Sequence, residues 1–210
     1  MLYFQKVHVI ESLFVMILYV LYFVIWKSKQ INQKHITGIN PYVLDKSTSN
    51  IQQYLNGYSK FLTVYVSLII VLHVMGIQWG ILFVRYITLS TLTFDIAGFC
   101  IGLFGLCLCS YSQHTMGSSW RVGIDDHVKT DLVTKGLYSL IRNPTYVGLF
   151  LLNIGVWLIW PTCTIFLYNL LTFIFFEIQV RCEEDHLFTI HQDNYRIYFK
   201  QTKRYIPYIY

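Results

Sequence analysis

The feature that most constrains this chain is an apolar run of about 18 residues, Val9 to Trp26, in which Glu11 is the single charged side chain. A helix of that length rises roughly 27 Å, close to the roughly 30 Å hydrocarbon core of a bilayer. Backbone groups in lipid must bond within their own segment, so the run must be helical. Comparable runs recur at Phe61–Gly76, fraying toward Trp79 and Phe83, and at Ile87–Tyr111, Tyr146–Trp160 and Thr164–Val180. Only 13% of the 210 residues are charged and 55% are hydrophobic, whereas soluble domains carry roughly 25% charge. The expected fold class is therefore all-α: an integral membrane bundle of about five transmembrane helices with a cytoplasmic C-terminal cofactor-binding region.

The N-terminus offers Lys6 before the first run but no small-residue cleavage site, so an uncleaved span is expected. Residues 1–111 read as N-terminal transmembrane helices at about 9–26, 61–80 and 87–111, joined by a cytoplasmic loop over 27–60. That loop holds Asn40-Pro41, the polar stretch Asp45 to Asn50, and a short amphipathic piece at 51–58 lying on the membrane surface. Residues 112–210 read as the catalytic and cofactor-binding part: a polar stretch including Asp125-Asp126, a helical hairpin at about 144–160 and 162–184 turning at Trp160-Pro161, and an amphipathic tail. Five crossings place fourteen of the sixteen Lys and Arg residues on one side, leaving Lys6 and Arg85 on the other. By the positive-inside rule the N-terminus is then outside and the C-terminus cytoplasmic. The net charge of +5 reads as topology and contact with anionic lipid headgroups, not nucleic-acid binding.

Isolated polar residues within the spans carry less. His73 reads as a helix-packing histidine, Glu11 as a headgroup-level residue, and Asp95 as either interfacial or a functional carboxylate. Gly98, Gly102 and Gly105 permit close helix approach. The five cysteines show no metal-ligand spacing, and no metal site is expected. No Walker loop, G-x-G-x-x-G or H-E-x-x-H sequence is present.

Two polar concentrations remain. The first is the turn Gly136 to Gly148, in which Pro144 suits the first position of a helix and Asn143 its N-cap, where the side-chain oxygen can accept a first-turn amide. With Arg142 adjacent, this end is either a well-capped membrane helix or an anion site. The second follows the fifth span: Glu177, Arg181 and Glu184 recur on one helical face, with Glu183 beside them. Glu177 follows an apolar stretch, so it should face the bundle interior or a wet cavity with Arg181 as its partner.

A hairpin of the last two spans would bring these ends together. Amides and Arg142 for a carboxylate, Glu183 and Glu184 for hydroxyls or an ammonium, and the rings of Tyr138, Tyr146, Tyr195 and Tyr198 suit S-adenosyl-L-methionine, a zwitterion bearing adenine and a sulfonium.

The chain resembles the isoprenylcysteine carboxyl methyltransferase family, within the membrane methyltransferases that include phospholipid N-methyltransferases. The resemblance lies in Met116-Gly117-Ser118-Ser119-Trp120-Arg121 and in Leu132-Val133-Thr134, Gly136, Tyr138, Arg142-Asn143-Pro144, Tyr146 and Gly148. It continues in Glu183-Glu184, Leu187, Tyr195-x-x-Tyr198 and Ile206-Pro207. Asn143 stands where the family usually has His, and the family's glycine before the Tyr-x-x-Tyr pair is absent. The resemblance implies an S-adenosyl-L-methionine-dependent methyltransferase, with S-adenosyl-L-homocysteine as product. It implies cofactor contacts from Leu132, Val133, Tyr138, Arg142, Asn143, Pro144, Tyr146, Glu183, Glu184 and Tyr195, and a lipid-like or prenylated acceptor entering from the bilayer. For a carboxylate acceptor, Arg181 would orient the carboxylate and Glu177 would hold Arg181; for an amine or thiol, Glu177 would be the base. Two alternatives are an NADPH-dependent membrane sterol or enone reductase, which shares the hairpin and the Arg-x-Pro-x-Tyr turn, and a non-enzymatic membrane protein.

Overall fold

The computed structural model describes residues 2–45, 49–77, 80–124 and 129–210, with residues 2–8 described by backbone alone. The expectations that fall on Lys46 to Thr48, Trp79 and Asp125-Asp126 lie outside the described residues. The chain forms five helices: α1 Leu2–Thr37, α2 Asn50–Val74, α3 Leu92–Met116, α4 Pro144–Ile159 and α5 Cys163–Gln201. Four of them, α1, α2, α3 and α5, are long and apolar enough to cross a membrane, and α4 is a shorter apolar helix. Among the described residues no strand forms; the only extended pairings are isolated bridges. The all-α, multi-pass expectation stands.

Two expectations need correction. Residues 27–37 are not loop, because α1 continues eleven residues past Trp26. Beyond the apolar run, Lys29 Nζ and Gln33 Nε2 donate to the carbonyls of Gly117 and Ser118 at 3.1 and 2.7 Å, so distant acceptors hold a stretch whose composition reads as polar loop. Residues 51–58 are likewise not a separate surface helix; they are the first two turns of α2, with Gln52 and Leu55 buried. The connecting loop shrinks to the residues between Thr37 and Asn50.

The two ends of the bundle differ. At one end Arg85 binds both oxygens of Glu11 at 2.6 and 2.7 Å and donates to the carbonyl of Ile159, near the C-terminus of α4. Glu11 is buried within the protein. Asp95 is buried, and among the described residues neither of its oxygens has a hydrogen-bond partner. His73 packs on the Trp160 ring at 4.8 Å, in keeping with a packing histidine. These residues share the end opposite the cavity described below.

The closest helix packing is between α3 and α4. A Cβ on Gly105 would lie 2.5 Å from the carbonyl oxygen of Gly148, and one on Gly148 would lie 2.5 Å from that of Gly105. Only bare backbone permits that approach, as the glycine spacing on α3 suggests. The contact fixes α4, and with it the turn at its start.

Candidate functional site

The turn before α4 is positioned from three directions. Its backbone pairs with the tail: Arg142 N donates to Lys203 O at 2.8 Å and Asn143 N to Arg204 O at 3.1 Å. Pro144 is the first residue of α4, as expected, with Asn143 at the N-cap. The capping role is corrected, however: the Asn143 side chain makes no cap bond. Its Nδ2 donates instead to Glu184 Oε1 at 3.4 Å. The amides of the first turn are therefore left uncapped by that side chain, and Nδ2 cross-links α4 to α5.

Glu184 is the hub. Its carboxylate accepts from Arg142 Nε at 2.9 Å, and from Arg204 Nη2 at 2.6 Å and Nε at 3.2 Å. Its own side chain is 6% exposed and that of Arg142 8%. Arg142 also donates from Nη1 to the carbonyls of Phe199 and Thr202 and stacks on the Phe199 ring at 3.9 Å. The Glu184 carboxylate raises the pKa of Arg204 above its already high value, so that guanidinium stays charged. These bonds occupy Glu184 with protein donors. Its first consequence is to lock α4, α5 and the tail together, which is more specific than the open acceptor expected from sequence.

Glu183, one residue earlier, is placed differently. Oε1 accepts from Tyr146 Oη and from Gln179 Nε2, both at 2.8 Å, and among the described residues Oε2 has no donor. Tyr198 Oη donates to Tyr138 O at 2.7 Å, fixing the short 3-10 helix Gly136–Ser139 that leads into the turn. Burial pushes the Tyr138 phenol well above its usual range, so the ring enters the site neutral.

These groups surround a cavity of about 350 Å³, within the roughly 300–1,000 Å³ common for small-molecule sites. Of the ten expected cofactor residues, Leu132, Val133, Tyr138, Arg142, Asn143, Tyr146, Glu183, Glu184 and Tyr195 line it. Pro144 does not; it is fully buried behind the turn it initiates. Among the described residues, Tyr195 Oη and Gln179 Oε1 on the lining are buried without a partner. A buried polar atom without a partner is costly, and a ligand donor or acceptor at such a point relieves the cost.

The structure does not bring Arg181 and Glu177 to this cavity. They pair with each other at 3.2 Å, as expected, but the Arg181 side chain is 59% exposed and Glu177 lies 3.7 Å from Arg204 on the tail side. Helical phase explains the difference: the face carrying Phe176, Gln179 and Glu183 is turned inward, whereas Arg181, two residues or about 200° from both Gln179 and Glu183, projects away from it. Gln179 was missed by sequence reasoning; its spacing one turn before Glu183 was the available signal.

A second cavity of about 480 Å³ adjoins the first and shares Tyr22, Ser59, Thr63, Leu149, Phe175 and Phe176 with it. Its other walls include Met16, Val20, Phe23, Leu62, Val66 and Ile70 of α1 and α2. A polar chamber near the end of the bundle thus opens into an apolar groove between the helices.

A multi-pass helical membrane protein with a polar chamber joined to an apolar groove is the class that fold and site define. Comparison with known proteins narrows it. Residues 97–189 match the model of the "Isoprenylcysteine carboxyl methyltransferase (ICMT) family", so the resemblance carried by the motifs holds over that segment. The chain is 35% identical over 120 residues to protein-S-isoprenylcysteine O-methyltransferase of Xenopus laevis, covering 55% of this chain and 41% of the relative. It is 34% identical over 116 residues to the enzyme so named from Tribolium castaneum, covering 53% and 41%. The human enzyme of that name is 33% identical over 120 residues, covering 55% and 42%. The chain thus spans about two fifths of the length of these relatives. Its fold is similar to the solved eukaryotic intramembrane Ras methyltransferase ICMT, with a TM-score of 0.52 at 23% identity, covering 78% of this chain and 54% of that one.

Proposed function

We propose that this protein is an S-adenosyl-L-methionine-dependent membrane methyltransferase that acts on a lipid-like acceptor, with O-methylation of a carboxylate as the reaction. The observation that carries the reading is the meeting of the Arg142 turn and the Glu183–Glu184 pair on one cavity, with Arg142 Nε 2.9 Å from Glu184. The residues present fit the cofactor. Uncapped amides at the start of α4 suit its carboxylate, Glu183 Oε2 suits its ammonium, and Tyr195 Oη offers a further hydrogen bond. Glu184 holds Arg142 and the turn in place rather than meeting the ligand with a free carboxylate.

The bound cofactor supplies a methyl group on a positively charged sulfur. Transfer of that methyl to an acceptor carboxylate oxygen would leave the electron pair of the carbon–sulfur bond on sulfur. No proton moves, so no base is required. The chain's residues hold the two partners in line and exclude water, with Leu149, Phe175 and Phe176 forming the dry junction between chamber and groove. The groove, walled by α1 and α2, receives the acceptor's apolar tail from the bilayer.

Residues 112–210 carry most of the cofactor contacts, with the C-terminus and site on the cytoplasmic side and the N-terminus outside. Basic residues at that end, including Lys27, Lys135, Arg196 and Lys200, face anionic headgroups. Isothermal titration of the detergent-purified protein tests the reading: S-adenosylhomocysteine should bind and NADPH should not. Binding of NADPH alone would replace this reading with a reductase, and binding of neither would remove both.

A further inference from the structure

The segment between α1 and α2 lies outside residues 97–189, the part matched by the family model, yet it reaches the site. Val43 N and Leu44 N both donate to Val122 O, at 3.0 and 3.1 Å, and Val122 N returns a bond to Pro41 O at 2.9 Å. Pro41, Val43 and Leu44 are buried. Gly123 makes the clip possible: its φ is +90°, and a Cβ there would lie 2.8 Å from the Leu44 backbone. Tyr42 is braced from the other side by its hydroxyl, which donates to Asn56 Oδ1 of α2 at 3.2 Å. Tyr42 and Leu44 both line the 350 Å³ cavity, as does Trp120, which precedes the clip.

Of the chamber's charged groups, Arg142, Glu183 and Glu184 come from the α4 and α5 side, and Arg121 and Asp131 from the stretch between α3 and α4. What the 41–44 clip adds is an uncharged wall made of one aromatic and one aliphatic side chain. Leu132 and Val133 also line the chamber, in a stretch outside any helix, and among the described residues their amides have no backbone partner. A flat, neutral heterocycle with donors and acceptors on its edge fits such a slot: its faces meet apolar side chains and its edge meets bare backbone.

We propose that Tyr42 and Leu44 form a wall of the nucleobase subsite, so that the cofactor site is completed by the loop between the first two helices. This rests on the methyltransferase reading and adds a base-binding role for a segment outside the family match. The N-terminal helices then do more than shape the groove: they carry one side of the chamber.

The test uses full-length protein in detergent with two ligands, S-adenosylhomocysteine and methylthioadenosine, which retains the nucleoside but lacks the amino-acid part. Leu44→Ala and Tyr42→Ala should each weaken both ligands by the same factor, about tenfold, which is about 1.4 kcal/mol. Tyr42→Phe, which keeps the ring and loses only the Asn56 bond, should bind within about threefold of the parent. A photoreactive azidoadenine analogue of the cofactor, used on the unaltered protein, should label a peptide within residues 38–56, so the outcome does not depend on the variants folding. Unchanged affinity in folded Leu44→Ala and Tyr42→Ala, or labelling confined to residues outside 38–56, overturns the proposal while leaving the methyltransferase reading intact. Failure of the unaltered protein to bind either ligand overturns both.

Discussion

Removal of the Glu184 carboxylate is the sharpest perturbation available. Glu184 and Arg142 are 6% and 8% exposed at the side chain and lie 2.9 Å apart. Arg204, 13% exposed, bonds the other oxygen at 2.6 Å. Glu184→Ala leaves two guanidiniums facing each other with no counter-charge, and breaking a buried pair from one side costs about 3–5 kcal/mol. For a chain of this length that corresponds to a fall in melting temperature of about 6–20 °C. Arg142→Ala should cost somewhat less, because Arg204 still pairs with the acid while the Phe199 and Thr202 carbonyls lose their donor. The double variant should cost less than the two single losses added, since neither partner is then stranded, with a coupling of about 1–3 kcal/mol. Thermal unfolding of the four proteins in one detergent closes the cycle, and S-adenosylhomocysteine titration reads the site. Additive losses, or a Glu184→Ala protein that melts within about 2 °C of the parent, would refute the hub assignment.

Four further outcomes follow from individual positions. Tyr195→Phe removes a buried hydroxyl that has no protein partner, so stability should hold or rise slightly while affinity for S-adenosylhomocysteine falls about fivefold, one hydrogen bond's worth; an unchanged Kd by calorimetry would deny that hydroxyl a ligand. Gln192 has φ 46° and ψ −117° at a break inside α5, a region left almost entirely to glycine, so Gln192→Gly should stabilise by about 1 kcal/mol and raise the melting temperature by a few degrees; a decrease would contradict this. Gly148→Ala places a methyl 2.5 Å from the Gly105 carbonyl oxygen and should destabilise by about 2 kcal/mol or more, read as lower melting temperature, through separation of α3 and α4. Arg181→Ala, at an exposed pair outside the cavity, should change stability by less than about 1 kcal/mol and leave methyl transfer to a prenylated cysteine acceptor within twofold; a large fall in kcat would return that arginine to the reaction.

Much of the fold was legible because apolar run length is a direct consequence of bilayer thickness. The site's two poles were legible for a related reason: helices that form a hairpin place the start of one beside the end of the other, which is how Arg142 and Glu184 come to touch. What escaped was whatever depends on partners far away in sequence. Residues 27–37 stay helical because acceptors at Gly117 and Ser118 receive Lys29 and Gln33, and nothing local reveals them. The Asn143 side chain abandons its cap for Glu184, forty-one positions on. The inward face of α5 could have been read more finely, since Phe176, Gln179 and Glu183 recur at helical spacing. Arg181 shares a span with them but not that face. The positive φ at Gln192 falls close to the point where the family's glycine is missing, so a departure noted in the sequence corresponds to a strained position in the structure.

The unbroken rod of α5 from Cys163 to the bend at Gln192 has an implication for how such a protein can evolve. Thr172 and Phe176 line the apolar groove, Gln179 and Glu183 line the chamber, and one continuous helix sets their separation and angular phase. Deleting a single residue between Phe176 and Gln179 would swing everything downstream by about 100° and shorten the distance by about 1.5 Å. The two cavities can therefore be reshaped by exchanging side chains along this ruler, whereas changing its length would put them out of register.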